Sequence, residues 1–137
     1  MPRGDNVKAP PFTIAGIDHI LLHVNDMEQN LVFYEGVLGC TVETRIPRVA
    51  MAELRAGASH VDLVDVSSAE GAWAKGSTGG RNIDHFALAI EAHDMQALRD
   101  HLKSNGIIIN EEREEDGSES VYISDPSGNT IELLCRK

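Results

Sequence analysis

The sequence lacks the features that mark membrane and exported proteins. It contains no apolar run long enough to span a bilayer, and no apolar stretch follows Arg3 to indicate a secretory signal. Only two cysteines occur, Cys40 and Cys135, and neither belongs to a CxxC or Cys/His spacing. We therefore expect a cytoplasmic protein with reduced thiols and no membrane partner.

Basic residues are scarce as well. The chain has 12 Lys and Arg against 22 Asp and Glu, which gives a formal net charge of −10. This charge would repel a phosphate backbone, so nucleic acid is excluded as a partner. The 137 residues, 42% hydrophobic and 25% charged, fit one globular domain.

An internal repeat organises the chain. Residues 17–27 read IDHILLHVNDM and residues 83–95 read IDHFALAIEAHDM. Each copy begins Ile-Asp-His, continues as a short apolar strand, and ends in Asp-Met before a helical pattern. Gly39 and Gly106 are predicted to end the two helices. Three predicted strands follow each helix, at 41–46, 50–55 and 60–66 in the first half and at 107–112, 120–124 and 130–135 in the second.

Each half therefore predicts a β-α-β-β-β module, and the whole predicts an α+β fold of two βαβββ modules. We expect a flexible N-terminal tail over 1–13 and a single domain over 14–137. Within that domain, module one covers 14–66, a Gly- and Ser-rich linker covers 67–80, and module two covers 81–137.

Four side chains occupy matching places in the two halves. Strand alternation puts His19 and His85 on the face away from the helix. Asp62 and Glu132 are lone carboxylates inside the apolar last strands, where an unpaired charge is costly unless it binds a metal. A single such histidine or acid is usually an ordinary packed or solvated residue, but their recurrence in both halves favours ligands. Two imidazoles and two carboxylates suit Zn, Mn, Ni, Co or Fe.

The chain also resembles a known family. The early Ile-Asp-His, the segment VNDMEQNLVFYEGVLG, the mid-chain Asp-His-Phe-Ala and the late SDPSGNTIELL are similar to the vicinal-oxygen-chelate superfamily. That superfamily includes glyoxalase I, methylmalonyl-CoA epimerase, fosfomycin-resistance proteins, extradiol dioxygenases and bleomycin-resistance proteins. The resemblance, from Ile17 to Leu134, implies paired modules forming a cup around one divalent metal. The ligands it implies are His19, Asp62, His85 and Glu132.

The resemblance implies a lactoylglutathione lyase-like metalloenzyme. A small substrate would chelate the metal through adjacent oxygens, and Glu132 or Asp62 would move a proton. Glyoxalase I-like proteins usually carry Glu where this chain has the shorter Asp62. A homodimer is expected, because exposed module edges favour pairing. The modules pair either within one chain or across a swapped dimer.

Two alternatives stay open. A three-ligand site of His19, His85 and Glu132 would suit an Fe(II) extradiol-type dioxygenase or a Mn-dependent fosfomycin-resistance-type transferase. A non-catalytic drug-binding protein is the third class, although its members typically lose the His and acid set. Tyr122 is a further candidate for the pocket wall, with sheet packing as the alternative. Glu53 is a candidate second acid whose facing is uncertain by one residue.

Overall fold

The computed structural model describes residues 17–75, 85–92 and 94–137. The predicted tail, residues 1–13, lies outside the described residues. So do the end of the predicted linker and the start of module two, residues 76–84. The domain boundaries at these places stay predictions.

Two four-stranded sheets, one from each half of the chain, confirm the predicted α+β fold. The strands are His19–Val24 (β1), Thr41–Ile46 (β2), Met51–Ala56 (β3), Ser59–Asp65 (β4), Phe86–Ala89 (β5), Glu111–Glu115 (β6), Ser118–Ser124 (β7) and Thr130–Arg136 (β8). Their orders are β1-β4-β3-β2 and β5-β8-β7-β6. In each sheet the first and last strands are parallel neighbours. The histidine and the acid of each module are thereby brought to adjacent strands.

The first helix differs from the single helix predicted up to Gly39. An α-helix (α1) covers Met27–Leu31, and a π-helical segment continues over Val32–Val37. The carboxylate of Asp26 caps α1 by accepting a hydrogen bond from the Gln29 amide at 3.1 Å. Gly39 follows with φ of 75°, a conformation that favours glycine.

The second helix (α2) covers Met95–Ser104 and is capped by the Asp94 carboxylate. As predicted, Gly106 follows it with φ of 73°. No helix in the described part of the chain is long and apolar enough to cross a membrane.

The predicted strand over 107–112 was placed wrongly. The strand here is β6, Glu111–Glu115, and all five of its residues are exposed. Among the described strands, β6 lies at the edge of its sheet and pairs with β7 alone. Its charged side chains protect that edge from pairing with other chains, and they also hide the apolar alternation that identifies a strand.

A buried polar junction joins the two modules. The Asp125 carboxylate is 4% exposed and accepts a hydrogen bond from the Tyr34 hydroxyl at 2.8 Å. It also accepts from the amides of Ser127 and Asn129 and from the Asn129 side chain. Burial and the charge of Asp125 raise the pKa of Tyr34, so the phenol remains a donor. The Asn30 side chain donates to the Ser127 hydroxyl at 3.0 Å across the same junction.

Tyr34→Phe should therefore destabilise the folded chain. The change removes one buried donor to a charged acceptor and leaves the ring in place, at a cost of about 1.5 to 3 kcal/mol. Urea-induced unfolding measures the change. Ser124→Ala, which removes an exposed hydrogen bond to Asn110, is the control and should have no measurable effect. Equal unfolding midpoints for Tyr34→Phe and wild type would show that the junction contributes nothing.

Candidate metal site

The first candidate pair lies on the face of module one that points away from α1. His19 on β1 and Asp62 on β4 occupy neighbouring strands, and their Nε2 and Oδ2 atoms are 3.8 Å apart. That distance is too long for a hydrogen bond. The Asp18 carboxylate lies 2.8 Å from Nδ1 of His19, which leaves Nε2 turned toward Asp62. The hydrogen bond with Asp18 and the charge of Asp62 raise the pKa of His19.

Asp62 lacks the partners that a buried carboxylate requires. It is 4% exposed, and its Oδ1 atom is buried with no hydrogen-bond partner. Burial accordingly raises the pKa of Asp62 above its ordinary value. A buried acid of this kind is costly unless a cation or a donor compensates it.

These two side chains line a cavity of about 210 Å³. The other lining residues are Asp18, Glu43, Thr44, Glu53 and His60. Glu53, whose facing the sequence left open, is the register partner of Asp62 and faces the cavity.

Sequence reasoning missed Glu43 and His60. The Glu43 carboxylate lies 2.8 Å from both His60 Nε2 and Arg55 Nε. One signal was available for His60, because it precedes Asp62 by two residues on the same strand and therefore shares its face.

The second candidate pair belongs to module two. His85 Nε2 lies 3.2 Å from Glu132 Oε1. The Tyr122 ring packs edge-on against His85 at 5.3 Å between centroids, and the Arg113 guanidinium lies 5.2 Å from the Tyr122 ring centroid. Burial and a hydrogen bond to Glu132 raise the pKa of Tyr122. The sequence left open whether Tyr122 lines the pocket or packs within the sheet. In the structure, Tyr122 lies against both His85 and Glu132.

The four predicted ligands form two pairs rather than one cluster. His19 and Asp62 line one cavity, and His85 and Glu132 line another of about 330 Å³. Within residues 17–75, 85–92 and 94–137, no three His, Cys, Asp or Glu side chains lie close enough to hold a metal ion. Each chain thus holds the four candidates as two separate pairs, His19 with Asp62 and His85 with Glu132, which we call half-sites.

Each half-site has the chemistry of a metal ligand pair. Metal-binding histidines usually have their second ring nitrogen held by a carboxylate or carbonyl, as Asp18 holds His19. The Asp62 Oδ1 atom is buried and has no hydrogen-bond partner, so its charge is uncompensated on that side. Together the two pairs would supply two imidazoles and two carboxylates, which balance a divalent ion.

A larger apolar cavity lies elsewhere in the chain. Its volume is about 770 Å³, and its lining includes Ile20, Leu38, Cys40, Phe86 and Leu88. None of the four predicted ligands lines it.

Comparison with known proteins places the chain in a family context. The model of the Glyoxalase/Bleomycin resistance protein/Dioxygenase superfamily matches residues 16–133. This match confirms the resemblance seen in the sequence.

Individual relatives are more distant. The chain is 26% identical to metallothiol transferase FosB of Lysinibacillus sphaericus, over 89% of this chain and 83% of the relative. It is 26% identical to glutathione transferase FosA of Serratia marcescens, over 88% of this chain and 80% of the relative. The crystal structure of lactoylglutathione lyase from Agrobacterium tumefaciens superposes with a TM-score of 0.71 at 22% identity, covering 89% of this chain and 94% of that one. That likeness shows the fold.

Asp62→Asn should stabilise the protein when it is purified without metal. The substitution removes a buried charge that has an unpartnered oxygen, and we expect a gain in unfolding free energy of about 1 kcal/mol. Urea unfolding in the presence of a chelator measures it. Asp18→Asn, at an exposed carboxylate, is the control and should leave the midpoint unchanged. A destabilised Asp62→Asn protein would mean that the carboxylate is already compensated within the fold.

Proposed function

Because the chain belongs to the Glyoxalase/Bleomycin resistance protein/Dioxygenase superfamily, we propose that it is a metal-dependent lyase or isomerase of the glyoxalase I type. In this proposal a second copy of the chain completes the metal site. The proposal is supported by one observation: the four ligand candidates are divided between two half-sites. One of these half-sites contains Asp62, whose charge is uncompensated.

The arrangement of the half-sites supports assembly between two copies. Each pair lies on the sheet face that its own helix leaves uncovered, whereas contacts between the modules within the chain run through the junction around Asp125 and a shared hydrophobic core. In a twofold dimer, module one of each copy would face module two of the other. Each of the two sites would then combine His19 and Asp62 with His85 and Glu132 of the partner subunit.

The protein side chains have distinct tasks in this mechanism. A divalent ion held by the four residues would polarise two adjacent oxygens of a small substrate. Glu132, which is held by the Tyr122 hydroxyl and has a side chain only 14% exposed, would take a proton from the carbon beside the substrate carbonyl. Glu132 would then return it to the neighbouring carbon. Asp62 is more deeply buried and serves as a ligand in this scheme.

Metal binding by mixed variants tests whether the site lies between copies. His19→Ala and His85→Ala homodimers should each lose metal, because every site lacks one imidazole. Mixing the two variants under conditions that exchange subunits should restore metal to roughly a quarter of the wild-type content, since a mixed dimer keeps one intact site. Metal content after dialysis measures this.

The matched control is a mixture of His19→Ala with Asp62→Ala. Both changes lie in the same half-site, so every mixed dimer carries one defect in each site and no complementation should appear. A lack of recovery in the first mixture, with subunit exchange verified, would place the whole site within one chain.

Turnover of an α-oxoaldehyde–thiol adduct tests the reaction. The metal-loaded protein should isomerise the methylglyoxal–glutathione adduct to a thioester, followed by absorbance. Glu132→Gln should lower kcat by at least about 100-fold because the proton carrier is lost. Circular dichroism checks that the variant is folded. Full activity in the folded variant would remove Glu132 from the mechanism.

A thiol transferase is the second candidate function. It is favoured by the two relatives named as transferases, which match 88% and 89% of this chain. Loss of free thiol in the presence of fosfomycin and Mn²⁺, with no isomerisation of the adduct, would support this candidate over the first.

A further inference from the structure

Resting on the proposed metal site, we propose that Glu53 is an additional carboxylate ligand, which supplies the reach that Asp62 lacks. The two half-sites differ, position by position, in the partners that each carboxylate has.

Glu53 and Tyr122 occupy equivalent places in the two modules. Glu53 on β3 is the register partner of Asp62 on β4, and Tyr122 on β7 is the register partner of Glu132 on β8. In module two the residue at this place is Tyr122, whose hydroxyl can donate to the acid beside it. In module one the equivalent residue is Glu53. A Glu53 carboxylate cannot donate a hydrogen bond to Asp62, and it adds a second negative charge beside that acid.

Like charges directly opposite each other on paired strands are destabilising. The Asp62 Oδ1 atom is buried without a partner. Among the described residues, the Glu53 side chain has no hydrogen bond or ion pair, and its charge acts on both Asp62 and His19. A cation between the two facing carboxylates would compensate both negative charges.

Glu43 shows the contrast within the same cavity. Its carboxylate is held by Arg55 and by His60, each at 2.8 Å. The cavity therefore contains a carboxylate neutralised by the protein itself and another, Glu53, that is available to a cation.

The length of the side chains completes the argument. Module two carries Glu132 at the place where module one has Asp62, so the acid of module one is one methylene shorter. Register partners on antiparallel strands have Cβ atoms about 5 Å apart, and Glu53 has the longer side chain of the two. His19, Glu53 and Asp62 line the same cavity, and Glu53 would have to rotate toward the other two to share a cation with them, because the three do not form a metal-binding cluster as they stand. An added carboxylate also favours a hard ion such as Mn²⁺.

Isothermal titration of the full-length protein with MnCl₂ tests this role. Glu53→Gln should weaken Mn²⁺ affinity by about 10- to 100-fold. Glu43→Gln makes the same change of charge in the same cavity and should stay within about twofold of wild type. Adding Asp62→Glu to the Glu53→Gln protein should restore the affinity, because the lengthened ligand replaces the missing reach.

The outcomes separate this proposal from the one on which it rests. Wild-type affinity in a folded Glu53→Gln protein, or a loss no larger than that in Glu43→Gln, overturns the role of Glu53 and leaves the metal site standing. If Asp62→Glu does not restore the lost Mn²⁺ affinity, the role of Glu53 is also overturned, because Glu53 is then not compensating for the shorter side chain of Asp62. A wild-type protein that binds no Mn²⁺, Ni²⁺, Co²⁺, Zn²⁺ or Fe²⁺ overturns the metal site itself.

Discussion

The buried carboxylate of Asp125 is a polar constraint on how the two modules pack, beside the hydrophobic core that they share. It receives the Tyr34 hydroxyl from module one and amide donors from its own turn, so the helical side of one module meets the β7–β8 turn of the other. Charged acceptors buried at this depth are tolerated only when fully hydrogen-bonded. With the modules held in this way, the His19–Asp62 pair and the His85–Glu132 pair line separate cavities. In the proposed dimer, the two pairs would come from different copies of the chain.

The two half-sites differ in the partners of the carboxylate that lies on the last strand of each module. In module two, Glu132 lies 3.2 Å from His85 Nε2, and Tyr122 packs edge-on against His85. In module one, Asp62 keeps an oxygen without a partner. A fold optimised for stability alone would not retain such an oxygen, and departures of this kind concentrate at functional sites. This asymmetry makes module one the half in which a bound cation would compensate an unpartnered oxygen.

Much of this arrangement could be predicted from the sequence, because it depends on local periodicity. The repeated Ile-Asp-His and the lone acids in apolar strands predicted which faces His19 and Asp62 share, and parallel pairing of β1 with β4 brings them to adjacent strands. The π-helical segment after Leu31 was not predictable, since apolar spacing does not distinguish it from an α-helix. The relative placement of the modules depends on contacts such as Tyr34 with Asp125, which are 91 residues apart in sequence. The facing of Glu53 required the β3–β4 register.

The charge of the whole protein bears on the same site. A net charge of −10 repels anionic partners and attracts cations, and clefts lined by one sign of charge concentrate that field. The cavity of module one is such a cleft, since Asp18, Glu53 and Asp62 all line it. His19 and His60 are the basic side chains in that lining, and each already contacts a carboxylate. The same acidity would raise the local concentration of cations at the cavity that contains Asp62.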